Sequence, residues 1–591
     1  MLRGASIFSI SEEIGTKTVT EIDILQKKIR TSMKDCMRVD RFTLTRSLNF
    51  IGQMIKKEAP EETLLKRLHN LERRVIRSKE TKKERRAHLP KITYPAGLPI
   101  VSRKEEIIDA IQHNPVVVIT GETGSGKTTQ IPKMCIEAGR GIDGAIGCTQ
   151  PRRIAAVTVS RRVAAELNEP PGKSVGYKIR FEEEGGRNNY VKFMTDGILL
   201  METQGDRYLN EYDTIIVDEA HERSINIDFI LGILKTLLKK RKDLKIIITS
   251  ATIDPEKFSR AFDNAPIIEV SGRMYPVEII YHPLDPELEE KGENTYVDGA
   301  VSAIGDLKRR SKRGDILVFM PTERDIRETC DRIAAKKYTN TDVFPLFARL
   351  SSKEQQRVFL PSKGQKIIVA TNVAETSITI PGIRYVIDSG LARISEYNPS
   401  TRTKRLPIKG ISKSSALQRK GRCGRVENGI CIRLYREEKY ESRSLFTEPE
   451  ILRSNLAEII LRMIDLKIGD ISTFPFMDPP TPRSIKDGYN VLTELGAITR
   501  EKGAILLTER GKKMARMPAD PRISRMILEA EKENCVAEVL IIASALSIQD
   551  PRERPLEAEK EADETHKPFL NPSSCSGFSG PSRCRDICSI W

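Results

Sequence analysis

Between residues 22 and 86 apolar side chains return every three or four positions, as at Leu64, Leu65, Leu68, Leu71 and Ile76, with few glycines between them. That spacing predicts amphipathic helices. Pro90, Pro95 and Pro99 interrupt helical continuation and mark a linker. Beyond them the pattern changes to short apolar runs at 116–120, 214–217, 244–249, 316–320, 366–370 and 385–387, separated by helical periodicity. The alternation predicts parallel sheets covered by helices. Strands between 92 and 448 are too many for one modest sheet, and 271–276 reads as a joint, so two α/β domains are expected. After 448 helical spacing returns, at Ile451, Leu452, Leu456, Ile459, Ile460, Met463 and Ile464. Residues 549–591 turn charged and then rich in Ser, Pro, Gly and Cys, which predicts a disordered tail.

Composition narrows the partners. Hydrophobic residues make up 39% and charged residues 30% of the 591, and no apolar run approaches the ~18 residues of a membrane span, so no membrane segment is expected. The first ten residues lack a basic region followed by a long apolar stretch, which points to a cytoplasmic protein. Ten cysteines without a Cys-x-x-Cys pair indicate neither a zinc site nor a disulfide framework, and the spacing of Cys575, Cys584 and Cys588 matches no common metal knuckle. The net charge of +16 favours a polyanion such as nucleic acid. Residues 1–90 carry 21 Lys and Arg against 12 Asp and Glu, and their basic runs fit either direct contact or a solvated helix face.

The sharpest chemical signal is Gly121-Glu122-Thr123-Gly124-Ser125-Gly126-Lys127-Thr128, followed by Thr129. An apolar run precedes it and a helical pattern follows, which is the setting of a phosphate-binding P-loop rather than of a glycine-rich turn. Glycines let consecutive N–H groups face the phosphates of ATP, Lys127 reaches the terminal ones, and the Thr128 hydroxyl is placed to hold Mg²⁺. Asp218 and Glu219 stand at the end of the run 214–217, where α/β ligand sites form. Asp218 is expected in the Mg²⁺ shell, partly through water, and Glu219 as the base for the attacking water, with His221 coupling the site to its surroundings. Arg422 and Arg425, three apart, project together and suit a γ-phosphate. Some three hundred residues separate them from Lys127, so the second domain has to close onto the first. Arg419 and Lys420 fit a basic surface helix or a phosphate-backbone contact better.

With Thr149-Gln150-Pro151-Arg152-Arg153, Thr195-Asp196-Gly197, Ser250-Ala251-Thr252, Phe319-Met320-Pro321-Thr322 and Thr371 to Ser377 in order, the chain resembles the DEAH-box helicases of superfamily 2. The detailed wording is most similar to the bacterial HrpA type of ATP-dependent RNA helicase. The resemblance implies two tandem RecA-like P-loop domains at 92–270 and 271–448, after a basic helical extension at 1–91. It places a winged helix at 449–516, a partial helical ratchet domain at 517–560 and a tail at 561–591. By the same resemblance Gln418 helps position water, Arg162 and Phe359 sandwich the adenine, and Arg153, Thr195 and Thr371 grip the nucleic-acid backbone. Ser250, Thr252 and Ser377 couple hydrolysis to movement, and 397–406 forms a strand-parting hairpin. The implied activity is 3′-to-5′ translocation of a monomer on single-stranded or 3′-overhanging RNA, DNA not excluded, with a ribosome or ribonucleoprotein as further partner. The alternative is an RNA-stimulated ATPase clamp without strand separation. Two residues depart from the pattern: Pro381 replaces an acidic residue near the ribose, and Cys423, between the arginines, reads as a small buried hydrophobe. The oligonucleotide-binding fold that follows in the family is not reached before residue 591, so a shortened form is expected.

Overall fold

The computed structural model describes residues 21–547, except 123, 187, 252–253, 273–274, 285–294, 312, 376–379, 426 and 502, together with 560–562 and 564–565. Apart from those last five positions, the tail expected at 549–591 lies outside the described residues. Among the described residues no helix is long and apolar enough to cross a membrane.

The first sheet is built from β1 (Val116–Gly121), β2 (Ala145–Gln150), β3 (Val175–Ile179), β4 (Glu182–Glu184), β5 (Val191–Thr195), β6 (Tyr212–Val217), β7 (Lys245–Ser250) and β8 (Ile267–Val270). Its order is β4-β3-β5-β2-β6-β7-β1-β8, parallel except for the edge strand β4. β1 and β6 are buried at every position and rich in β-branched residues, as the middle of a parallel sheet covered on both faces requires. The second sheet holds β9 (Val277–Tyr281), β10 (Asp315–Phe319), β11 (Thr341–Leu346), β12 (Gln365–Ala370), β13 (Ile383–Asp388) and, after two small hairpins, β18 (Gly429–Arg433). It runs β11-β12-β10-β13-β18-β9, wholly parallel. These are two tandem RecA-like α/β units. The hairpins are nested: β14 (Leu391–Arg393) pairs with β17 (Ile408–Gly410), and β15 (Glu396–Asn398) with β16 (Thr403–Arg405).

Three helices, Glu21–Ser32, Arg38–Lys56 and Glu61–Ala87, form the extension. Their core uses Leu64, Leu68 and Leu71, as the spacing predicts, with Leu65 packed against it, but continues through Val75, whereas Ile76 is exposed. Arg41 and Lys82 share Asp143, at 2.6 and 2.5 Å, and buried Arg85 donates to the carbonyls of Gly141 and Asn189. All these acceptors precede β2 and β5, so the bundle caps the N-terminal ends of the first sheet's strands.

Beyond 448 come helices Ala457–Leu466 and Pro482–Glu494, a hairpin of β19 (Ile498–Glu501) and β20 (Ala504–Leu507), and helices Glu509–Arg516, Pro521–Ala530 and Val536–Ser547. Residues 451–515 share one apolar core with the helix Ile225–Leu238 and the first sheet. Gly232 on that helix lies against the ring of Phe474, which is itself wedged between Phe229 and Phe476 at centroid distances of 5.5 and 4.6 Å. Any Cβ at 232 would overlap that ring. Gly232→Ala is therefore expected to destabilise the protein by about 1–3 kcal/mol, as overpacking does, and to lower the midpoint of thermal unfolding. An unchanged melting curve would show that this seam is not packed as described.

Candidate functional site

The P-loop leaves β1 and enters the helix Lys127–Glu137 through Gly124 and Gly126, with φ of 93° and 95°, a region that side chains disfavour. At Gly126 a Cβ would also press on Ile100 Cγ2 at 3.0 Å and Leu98 Cδ1 at 3.2 Å. Lys127 is 7% exposed and donates to the carbonyls of Gly121 and Glu122. Burial pushes its ammonium pKa down. Glu122, Gly124 and Ser125 belong to the same turn and Thr128 and Thr129 to the first turn of the helix; among the described residues one Glu122 carboxylate oxygen is buried without a hydrogen-bond partner.

Asp218 is buried where β6 ends. It accepts from Gln150 Nε2 at 2.6 Å, from the Thr249 hydroxyl and from the Glu219 N–H. Glu219 sits in left-handed backbone, φ 51°, strain that is common at functional sites. Burial first, and the Asp218 charge second, hold its carboxyl above the usual carboxylate range, with Lys127 and Arg422 opposing. His221 is kept neutral by burial, its pKa lowered to about 4. Its Nδ1 accepts the Ala251 N–H at 3.1 Å, so the proton resides on Nε2.

The second sheet supplies the other wall. Arg422, 4% exposed, donates from Nε to the Glu375 carbonyl at 2.9 Å and neighbours Glu219. Arg425 lies over the P-loop: a Cβ on Gly124 would meet its guanidinium carbon at 3.9 Å. Burial lowers the pKa of both arginines. Arg152 crosses between sheets, from Nη1 to the Val373 carbonyl at 3.0 Å.

Similar proteins bear on this site directly. The model "AAA domain" matches residues 104–248, "Helicase conserved C-terminal domain" matches 299–427, and "Helicase associated domain (HA2), ratchet-like" matches 520–578. The chain is 56% identical over 492 residues to the ATP-dependent RNA helicase HrpA of Escherichia coli, covering 83% of the chain and 38% of that relative. With Asp218-Glu219-Ala220-His221 after β6, the chain is similar over most of its length to the DEAH-box helicases. A Haemophilus influenzae homolog of HrpA is 50% identical over 555 residues, 93% of the chain and 42% of the homolog, so the chain spans about two fifths of these relatives. The crystal structure of the E. coli DEAH/RHA helicase HrpB superposes with a TM-score of 0.72 at 30% identity, covering 84% of this chain and 63% of that one.

Several of the family's expected positions are not brought together. Arg162 is exposed and pairs with Glu166 at 3.2 Å, while Phe359 is 39% exposed on the other sheet's side; among the described residues the two form no stacked contact. Arg153 is exposed at the start of the helix Arg153–Glu166, Thr195 ends β5, and Thr371 caps the turn Asn372–Ala374 after β12. Ser250 is buried at the end of β7. Gln418 is half-buried in the helix Lys413–Lys420. Thr123, Thr252 and Ser377 lie outside the described residues. Cys423 is a fully buried small side chain.

Arg419 corrects the surface reading. It is 1% exposed, donates to Glu375 Oε2 at 3.1 Å and Asp388 Oδ1 at 2.7 Å, and stacks over Phe319 at 4.7 Å. Gln150, Thr249 and Glu375 were also missed as site residues, although each stands in or beside a quoted motif.

The donor chemistry fits a triphosphate with Mg²⁺. Lys127 is a buried cation and Arg425 a half-buried one; both reach backbone carbonyls but, among the described residues, no carboxylate within 4 Å. A polyanion in the loop supplies what they lack.

Arg419→Ala would leave Asp388 and Glu375 buried without their cation, a loss of about 3–5 kcal/mol. Arg419→Lys should rescue little, since one ammonium cannot serve both carboxylates and the ring. Thermal unfolding of the two variants checks this; stability close to wild type in Arg419→Ala would restore the surface reading.

Proposed function

We propose that the chain is an ATP-driven RNA motor in which the two sheets close around one ATP. The observation that carries this is Arg425 from the second sheet lying over Gly124 of the first, with Arg422 beside Glu219. Lys127 and the P-loop N–H groups would hold the phosphates, and Thr128 and Asp218 would hold Mg²⁺, which when bound neutralises charge on the terminal phosphates. Glu219, desolvated and next to Asp218, takes the proton of the attacking water, with Gln418 orienting that water. Arg422 and Arg425 stabilise the charge that develops on the γ-phosphoryl group. The adenine lies between Arg162 and Phe359 once the nucleotide draws them together.

The function of the relatives, ATP-dependent RNA helicases, supports RNA as the polymer. Arg153 and Thr195 on one sheet and Thr371 on the other form two grips on the backbone, and their alternation gives stepping, 3′ to 5′ by family resemblance. His221, whose Nδ1 accepts the Ala251 N–H and lies 3.4 Å from Glu219 Oε2, couples hydrolysis to that movement. The hairpin β15/β16 parts strands.

The decisive test compares ATPase stimulation by matched single-stranded RNA and DNA with unwinding of a duplex bearing a 3′ overhang. Stimulation by RNA together with unwinding supports the motor; stimulation without unwinding supports a clamp. Glu219→Gln should lower kcat by at least ~10² while ATP still binds, and Arg422→Ala should lower kcat more than it raises KM. Near-normal turnover in Glu219→Gln would remove the base assignment.

The pH dependence has a definite sign. A base acts deprotonated, and the Glu219 carboxyl is raised, so kcat/KM should fall as pH drops through a midpoint above the ordinary carboxylate range. A rate independent of pH down to ~4.5, the usual Glu range, would contradict that environment.

A further inference from the structure

A cleft of about 670 Å³ opens between the helix Arg38–Lys56 and the loop ahead of β6. Arg38, Arg41, Arg46, Phe42, Phe50 and Asn49 contribute to its walls, and no carboxylate does. Phe42 and Phe50 are 50% and 51% exposed, unusual for two phenylalanines on one helix of a folded bundle. Each ring has a cation or a second ring at its side. Arg67 lies over Phe50 at 5.6 Å, Phe42 meets Tyr208 at 6.2 Å, and Lys240 lies over Tyr208 at 5.8 Å. Arg46 is exposed and, among the described residues, has no carboxylate within salt-bridge distance, whereas Arg38 and Arg41 are anchored by Asp243 and Asp143.

We infer that this cleft is a second binding site, for single-stranded nucleic acid. Exposed rings flanked by cations are what unpaired bases stack on, arginines meet the phosphates, and Asn49 and Gln53 offer amides to base edges. Phe42 and Phe50 lie about 12 Å apart along the helix axis, so they take separate bases. A protein partner with an apolar patch fits less well, because Thr45, Arg46 and Asn49, between the rings in sequence, are polar and every charged group in the walls is cationic.

The site is remote from the proposed motor. It lies at the N-terminal end of β6, whereas Asp218 follows the C-terminal end, roughly 20 Å away at ~3.3 Å per strand residue. Thr195 stands at the same far end of the sheet, as the last residue of β5. A strand held here is held whether or not the two sheets are closed on ATP, which keeps the chain on its substrate between strokes.

The test is nucleotide-free binding of a labelled oligouridine to the full chain, with ultraviolet crosslinks mapped by mass spectrometry. Phe42→Ala/Phe50→Ala should weaken binding about ten-fold or more, and Phe50→Tyr, which keeps a stacking ring, should not. Arg46→Glu should make the slope of log affinity against log salt shallower by about one. Crosslinks should fall within residues 38–53 and persist in Lys127→Ala. Unchanged affinity and salt slope in the variants, with crosslinks confined to other regions, would overturn the proposal, including in favour of a protein ligand. All substituted side chains are solvent-exposed, and melting curves identify any variant that fails to fold. Since no ATP is present, failure of the motor reading leaves this result standing, and the reverse holds too.

Discussion

Buried positive charge in the seam between the sheets is the constraint on which the site depends. Lys127, Arg422 and Arg425 are all largely withdrawn from water, and burial lowers the pKa of each. Lys127 and Arg425 reach carbonyl groups instead of carboxylates, so their charge is only partly compensated. Desolvated cations of this kind are expensive until an anion joins them. The proposed triphosphate is that anion, and two of the three cations come from the other sheet. Closing the seam and binding the nucleotide are thus one electrostatic event.

The rest of the architecture determines what can move when the seam opens. Residues 451–515 share an apolar core with the first sheet, and Arg223 ties the two with ion pairs to Asp228 and Asp478. The second sheet keeps cores of its own on both faces. Its links to the rest are mainly polar: Arg152 to the Val373 carbonyl, Tyr397 and Arg402 to Asp487, and Arg402 Nη2 to Glu494 at 2.9 Å. Polar contacts can be exchanged for water, whereas a shared core cannot be parted without a large loss of burial. The proposed stroke is therefore a displacement of the second sheet relative to everything else, with the nested hairpin as its mechanical handle on the helix Pro482–Glu494.

What sequence disclosed and what it hid follow from how each feature is encoded. The P-loop is one contiguous string, and β1, β6, β7, β10, β12 and β13 each hold at least three consecutive apolar residues, so both were legible. β2 and β5 were not read as strands, because Gly147, Thr149 and Lys192 break their apolar runs. In the first helices both Leu64 and Leu65 fit a three-to-four spacing, and only packing shows which stripe is inside. Arg419 was misread for a related reason. Its partners Glu375 and Asp388 lie 44 and 31 positions earlier, and nothing local distinguishes a buried arginine from a surface one. Glu375 was overlooked because its use is double: its carboxylate holds Arg419 while its carbonyl aims Arg422.

The turn after β6 argues against force entering the structure there. Within six residues Asp218 is held by Gln150 and Thr249, His221 by the Ala251 N–H, and Arg223 by Asp228 and Asp478. Both Glu219 and Arg223 adopt left-handed backbone, φ 51° and 47°, which persists only where surroundings over-determine it. A segment pinned on three sides and strained at both ends is poorly suited to swing. It is well suited to present Glu219 at a fixed place, so that a change of state at the γ-phosphoryl group is felt by the arginines opposite. Those arginines hang from a sheet joined to the remainder mainly by polar contacts, and that is the side free to respond.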